Sequence, residues 1–188
     1  MLDLASDSNI VNNNSILSNA GHGVYLQSSS NNLIQSNLVG SNLIHGFYLS
    51  TSSRNNFVQN TVDSNVKYQM YVDGSSTADT FQKNNIQASP SNPDSGAYNG
   101  SSDVSSKFNM SRNWWNSTDT QRIKRMIFQP SNGDSIVWQP FRLGVVDTTV
   151  AADTTAPRAP DTVAASATAG AGTVLVTWSA VTANEDGV

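Results

Sequence analysis

A repeat of 23 residues runs through the first half of the chain and constrains the fold more than any other feature. The segment Asn14-x-Ile16-x-x-Asn19 recurs as Asn37-x-Val39-x-x-Asn42 and as Asn60-x-Val62-x-x-Asn65, and a partial copy follows as Asn84-x-Ile86. Three apolar-Tyr-apolar triplets keep the same register: Val24-Tyr25-Leu26, Phe47-Tyr48-Leu49 and Met70-Tyr71-Val72. Two features that share one period indicate stacked copies of one structural unit.

Each copy consists of short apolar-polar-apolar triplets between clusters of Asn, Ser and Gly. Such triplets are typical of very short strands joined by turns, and they lack the period of a helix. Stacking the copies turns alternate side chains inward and predicts one buried column, made of Ile16, Val39, Val62 and Ile86. The Asn residues are expected at bends, because Asn tolerates unusual backbone angles. Their side-chain amides are expected to form hydrogen bonds with the main chain and with the next Asn of the stack.

Composition argues against several classes of partner and site. The net charge of -4 and the pI near 4.8 disfavour nucleic acid as a partner, because phosphate binding needs clustered Lys and Arg. The sequence has no cysteine, which excludes disulfides and thiolate metal sites. No apolar run approaches the roughly 20 residues of a transmembrane helix, so no membrane span is predicted.

The repeat resembles that of right-handed parallel β-helix proteins, a family that includes NosD-like and other carbohydrate-associated surface proteins of bacteria. Its coils carry N-x-I-x-x-N followed by G-I-x-L, which Gly23-Val24-Tyr25-Leu26 and Gly46-Phe47-Tyr48-Leu49 match, while Gln69 replaces the glycine in the third copy. The resemblance covers residues 1–88. It implies the fold, and it leaves function open because the fold hosts lyases, hydrolases, epimerases and binding modules.

Residues 89–146 are predicted to form a loop and then a cap for the coils. Thr118 and Gln121 have the spacing of a capping box, and Ile123, Met126 and Ile127 give a short helix one apolar face. The preceding Asn113-Trp114-Trp115-Asn116 and the later Ile136-Val137-Trp138-Gln139-Pro140-Phe141 resemble the ending of the same β-helix family. The fold class expected is therefore all-β, a right-handed parallel solenoid with a short C-terminal cap helix.

A linker and an incomplete β-sandwich segment are expected to follow the cap. Residues 147–160 are rich in Thr, Ala, Asp and Pro, as an extended linker is. Residues 161–188 resemble the start of a fibronectin type III domain, with Val174-Leu175-Val176-Thr177-Trp178 as its Trp-bearing strand. Because Leu2-Asp3-Leu4 occupies the repeat position of Val24-Tyr25-Leu26, further coils are also expected upstream.

Three tyrosines and one tryptophan are the predicted carbohydrate-binding residues. Tyr25, Tyr48 and Tyr71 alternate with inward positions and are expected to form an outward ladder on which sugar rings could stack. The competing interpretation is that these rings only cover the sheet, since tyrosine is favoured in strands. Trp114 is the fourth candidate, although one of the pair Trp114 and Trp115 is expected to plug the end of the apolar core.

The two histidines of the chain, His22 and His45, share a repeat position and are expected to stack on adjacent coils. Two ligands rarely suffice for a metal site, so no metal and no cofactor are predicted. Gly21-His22-Gly23 and Arg122-Ile123-Lys124 resemble signatures of polygalacturonase-like hydrolases. They lie about 100 residues apart without the paired carboxylates that glycoside hydrolysis needs, so no catalytic residue is assigned.

The leading functional hypothesis is a secreted or cell-surface β-helix module, polysaccharide-binding or structural, with a downstream fibronectin type III domain. The alternative is the C-terminal part of a polysaccharide lyase, hydrolase or epimerase whose catalytic residues lie on upstream coils. A weaker alternative, implied by the resemblance, is a NosD-like role in copper maturation. The sequence favours a non-enzymatic role for these residues and an extracellular location.

Overall fold

The computed structural model describes residues 2–3, 6–101, 108–129 and 136–148, together with two strands nearer the C-terminus. The chain divides into two compact units, Met1–Val150 and Ala151–Val188. In the first unit the elements in chain order are β1 (Leu2–Asp3), β2 (Ile10–Asn12), β3 (Ser15–Leu17), β4 (Val24–Gln27), β5 (Leu33–Gln35), β6 (Leu38–Gly40), β7 (Phe47–Ser50), β8 (Asn56–Val58), β9 (Thr61–Asp63), β10 (Met70–Gly74), β11 (Thr80–Gln82), β12 (Asn85–Gln87), β13 (Ala97–Ser101), β14 (Phe108–Asn109), α1 (Thr120–Arg125), β15 (Ile127–Phe128) and β16 (Ile136–Val137).

These strands form three parallel sheets that the chain visits in turn. Sheet A has the order β1-β4-β7-β10-β13-β15, sheet B the order β16-β14-β11-β8-β5-β2, and sheet C the order β12-β9-β6-β3. Each strand pairs in parallel with the equivalent strand of the next coil. The predicted fold class is confirmed: the first unit is an all-β parallel solenoid, and α1 is the single helix within its described residues.

The core lies between the three sheets, as the alternation of side chains predicts. On sheet C, Ile16, Val39, Val62 and Ile86 pair in one column, and the last three are fully buried. Ile16, on the first strand of this sheet, is partly buried and packs against the same core. Sheet B adds Phe57 and Phe81, whose rings stack 4.4 Å apart. The repeat register is therefore confirmed.

Ladders of asparagine side chains fix the corners where the strands turn. In one ladder the Oδ1 atom of each Asn accepts from both the backbone N–H and the Nδ2 of the equivalent Asn one coil earlier, through Asn14, Asn37, Asn60, Asn84 and Asn113. The expected amide bonding is thus confirmed. The backbone strain lies elsewhere than expected, because the residue before each Asn takes the positive φ, as at Ser36 (52°) and Ser41 (54°).

The coils extend beyond residue 88, where the sequence prediction ended them. Strand β13 pairs with β10 over five residues, from Met70 with Ala97 to Gly74 with Ser101. The interruption in the period comes from residues 88–96, which form a tight loop with an antiparallel bridge between Ser89 and Asn92. A loop inserted between two strands shifts the sequence period without disturbing their pairing, which is why the repeat hides this coil.

Two further predictions need correction. Asp119, and not Thr118, caps α1, because its Oδ1 accepts from the backbone N–H of Gln121 at 2.8 Å. An aspartate at this position can satisfy the free N–H groups of the first turn just as a threonine can. At the other end, Leu2 pairs with Leu26 instead of Val24, a shift of two residues that conserves the strand face.

The second unit is described by one antiparallel pair, β17 (Val163–Ala167) and β18 (Val174–Trp178). The predicted Trp-bearing strand is therefore a strand, and its assignment to a fibronectin type III domain stays a prediction. Residues 149–160, the greater part of the predicted linker, lie outside the described residues.

Candidate functional site

Eight rings on and beside sheet A form a continuous surface that we call the aromatic face. Its main column runs along the coil axis through equivalent strand positions, and a second column lies in the turns that precede those strands. The main column contains Tyr25, Tyr48, Tyr71, Tyr98 and Phe128, and the second contains His22, His45 and Tyr68. The predicted ladder of three tyrosines therefore exists and is part of a larger cluster.

Most rings of the main column stack face to face. Ring centroids lie 4.7 Å apart for Tyr25 and Tyr48 with planes 8° apart, and 4.7 Å apart for Tyr71 and Tyr98 with planes 5° apart. Tyr48 and Tyr71 instead meet edge-on, at 77°. Because neighbouring rings cover one another's faces, a ligand meets mainly ring edges and hydroxyl groups. Phe128 closes the column on the last strand of sheet A and is 50% exposed.

The hydroxyl groups of the column are not equivalent. The Tyr48 hydroxyl donates a hydrogen bond to the Asp73 carboxylate at 2.8 Å. Burial is the main cause that raises the pKa of Tyr48 to about 12, and the Asp73 carboxylate is the second cause. Burial and the neighbouring Tyr98 also raise the pKa of Tyr71. For Tyr25, Tyr71 and Tyr98, the described residues provide no hydrogen-bond partner for the hydroxyl. These three hydroxyls are consequently polar groups that the main column offers to a ligand.

The two histidines stack as their shared repeat position predicts, with centroids 5.2 Å apart and planes 10° apart. His45 accepts from the backbone N–H of Tyr68 through Nδ1 at 3.1 Å. Burial, His22 and the Lys67 ammonium lower the pKa of His45 to about 4, and burial and Lys67 also lower that of His22. Both imidazoles are therefore neutral near pH 7. Within the described residues, no three His, Asp or Glu side chains converge as a metal site would require.

Trp114 lies on a different sheet from the tyrosines and does not join them. A parallel bridge between Asn85 and Trp114 extends sheet C by one position. Trp115 therefore continues the inward column above Ile86 and is fully buried, whereas Trp114 points outward and is half-buried. The expectation that one of the pair plugs the core is confirmed for Trp115. The indole of Trp114 lines a cavity of about 340 Å³ on the outer side of sheet C.

The hydrolase-like signatures are not brought together as an active site. His22 belongs to the aromatic face, whereas Arg122 and Lys124 are exposed on α1, where basic residues complement the C-terminal end of the helix. The one buried carboxyl in the described part of the chain, Asp79, ends an asparagine ladder and accepts from Asn55. This arrangement gives no acid-base pair.

Sequence reasoning missed Tyr98, Phe128 and Tyr68 as members of the aromatic face. Tyr98 lies in an Ala97-Tyr98-Asn99 triplet of the expected type, but the inserted loop moves it out of the 23-residue period. The sequence does put Tyr68 at the repeat position of the two histidines on the next coil, but that position alone did not predict contact with the tyrosine column. The repeat does not mark Phe128, because this residue follows α1 and lies outside the repeated segment.

Comparison with known proteins agrees with this architecture. Residues 2–86 match the family model described as right handed beta helix region. No curated protein and no solved structure matches the chain. No helix within the described residues is both long and apolar enough to cross a membrane. The matched residues are those of the stacked coils described above, so residues 2–86 are similar to right-handed β-helix repeats and fold as a parallel β-solenoid.

Proposed function

We propose that the β-helix region is a polysaccharide-binding module of a secreted or cell-surface protein. The observation that carries this proposal is the aromatic face, which continues along the coil axis from Tyr25 to Phe128 and in which every ring except the buried His45 is at least partly exposed. Successive coils place equivalent groups about 4.8 Å apart, close to the length of one hexose unit along a sugar chain. A linear glycan can therefore meet a similar group at each unit.

The stacking of the rings determines which contacts such a glycan makes. Ring faces that cover one another are not open to sugar C–H groups, so the phenol hydroxyls of Tyr25, Tyr71 and Tyr98 supply the hydrogen bonds. Phe128, which is 50% exposed at the end of the main column, supplies a stacking platform. The net negative charge of the chain favours neutral glycans over uronates.

The test replaces hydroxyl groups and leaves the rings in place. In the full chain, the triple change Tyr25→Phe, Tyr71→Phe and Tyr98→Phe conserves every ring contact while it removes three hydroxyls. Affinity electrophoresis in gels that contain neutral glucans, mannans or galactans is expected to show retardation of the unchanged protein and a several-fold weaker retardation of the triple variant.

Tyr48→Phe is the matched control, because it removes a hydroxyl that is already bound to Asp73. It is expected to retain the retardation of the unchanged protein. Equal retardation of the triple variant and the unchanged protein, at equal melting temperature, would remove the aromatic face as a binding surface. A lack of retardation in every glycan gel would remove the proposed function itself.

A further inference from the structure

Residues 145–148 cross the outer side of sheet C and form part of the cavity beside Trp114. Val145, Val146, Asp147 and Thr148 form one wall, and Trp114 and Asn116 form the opposite wall. Strands β9 and β12 provide the floor through Thr61, Asn85, Ile86 and Gln87. The cavity therefore lies over a different sheet from the aromatic face.

Hydrogen bonds hold the crossing segment in place. The side-chain amide of Asn85 accepts from the N–H of Val146 and donates to its carbonyl oxygen, both at 2.7 Å, as a strand neighbour would. One coil earlier, the hydroxyls of Thr61 and Thr148 lie 3.1 Å apart. Both Asn85 and Val146 are buried by this contact. These hydrogen bonds consequently fix this wall of the cavity.

The lining combines the groups that recognise a sugar ring. The half-buried indole of Trp114 has no ring partner within the described residues, unlike the tyrosines of sheet A, and the Val145 and Val146 side chains lie on the opposite wall. Gln87 and Asn116 provide amides, which can both donate to and accept from hydroxyl groups. None of the described residues that line the cavity is Lys or Arg, so a uronate carboxylate would find no counter-charge there.

From this lining we propose that the cavity binds one neutral pyranose unit, stacked on Trp114 and hydrogen-bonded to Gln87 and Asn116. The volume of about 340 Å³ is at the lower end of the range for small-molecule sites, which suits one sugar ring better than a long segment of glycan. The described lining has no cationic side chain, and this disfavours uronic acids. The cavity and the aromatic face share no residue, so an experiment can disprove sugar binding at one of them without disproving it at the other.

The proposal is tested by isothermal titration of the full chain with hexaoses of glucose, mannose and galactose, and with oligogalacturonate as the acidic probe. At least one neutral hexaose is expected to bind, and oligogalacturonate to bind several-fold more weakly. Trp114→Ala is expected to weaken the affinity for the neutral hexaose about tenfold, which is the loss expected for one stacked aromatic partner.

Two further variants keep the test decisive. Gln87→Ala removes an amide from the cavity without touching the core and is expected to weaken binding several-fold, even if Trp114→Ala proves unstable. Binding at the cavity itself is expected to be unchanged in the triple tyrosine variant of the aromatic face, because none of the three tyrosines lines the cavity. Equal affinity of the unchanged protein, Trp114→Ala and Gln87→Ala for the neutral hexaoses would overturn the proposal. No heat of binding from any probe at millimolar concentration would overturn it as well.

Discussion

The side chain of Gln69 ends the asparagine ladder that Asn65 would otherwise leave open. Its Oε1 accepts from the Nδ2 of Asn65 at 2.7 Å and from the backbone N–H of Asn65 at 3.2 Å, and its Nε2 donates to the Asn65 carbonyl oxygen at 3.2 Å. In earlier coils the acceptor is the Asn of the next coil, as Asn42 uses Asn65. Gln69, which stands where the other copies of the repeat have glycine, thus terminates this asparagine ladder.

Replacing Gln69 by Ala is expected to destabilise the first unit by about 2 kcal/mol. The change leaves two buried donors of Asn65 without an acceptor, and each unsatisfied buried donor costs about 1–3 kcal/mol before relaxation. Urea denaturation measures the effect. Gln82→Ala, which removes one half-buried bond of 3.2 Å to Ser111, is the control and should cost far less. Equal costs would show that Gln69 does not terminate the ladder.

Gly46→Ala is expected to cost about 2 kcal/mol or more, because a Cβ atom there would lie 2.6 Å from both the Gln69 carbonyl oxygen and the Cγ1 of Val62. The close approach of successive coils leaves no room for a side chain. Gly21→Ala is the matched control, since a Cβ atom at Gly21 meets nothing within 4 Å. Thermal denaturation of both variants checks the pair. A stable Gly46→Ala protein would argue against this coil spacing.

Asp79→Asn is expected to stabilise the protein at alkaline pH and not at acidic pH. Burial raises the pKa of Asp79 from 3.8 to about 7, even though the backbone and side-chain N–H groups of Asn55 donate to Oδ1. The folded state therefore holds the proton more tightly than the unfolded state, and stability present at low pH is lost as the pH rises from about 4 through about 7.

The asparagine at position 79 would carry no charge and would restore a donor of the kind that Asn60 directs at the Ile34 carbonyl oxygen. A gain of about 2 kcal/mol is expected at pH 8, falling towards zero near pH 4. Urea denaturation across this pH range provides the measurement. Asp94→Asn, at an exposed carboxylate that lies 3.9 Å from Arg125, is the control and should not stabilise the protein at pH 8. A variant less stable than the unchanged protein at pH 8 would contradict the assignment.

Removal of residues 151–188 is expected to leave the melting temperature of the remaining protein nearly unchanged. Residues 1–150 form a compact unit with its own core, and the described pair of strands in the second unit is too few for independent stability. Differential scanning calorimetry of the shortened and full chains compares the two. A large fall in melting temperature would mean that the second unit stabilises the first.

The sequence by itself determined the solenoid, its repeat register and the inward column from Ile16 to Ile86. These follow from local pattern, because a period of 23 residues with alternating apolar side chains has one way to bury its apolar face. It also placed Tyr25, Tyr48 and Tyr71 in one column and stacked His22 on His45, since equivalent positions of a repeat must meet on adjacent coils.

Only the tertiary structure decided which ring faces are covered and where the further coil lies. Rotamers and ring planes depend on neighbours 23 to 27 residues away, so the edge-on contact of Tyr48 with Tyr71 has no signature in the sequence. The loop before Tyr98 hides a coil that only strand pairing reveals. The cavity at Trp114 likewise depends on the contact between Asn85 and Val146. These residues lie 61 positions apart in the sequence, and the repeat does not predict that they pair.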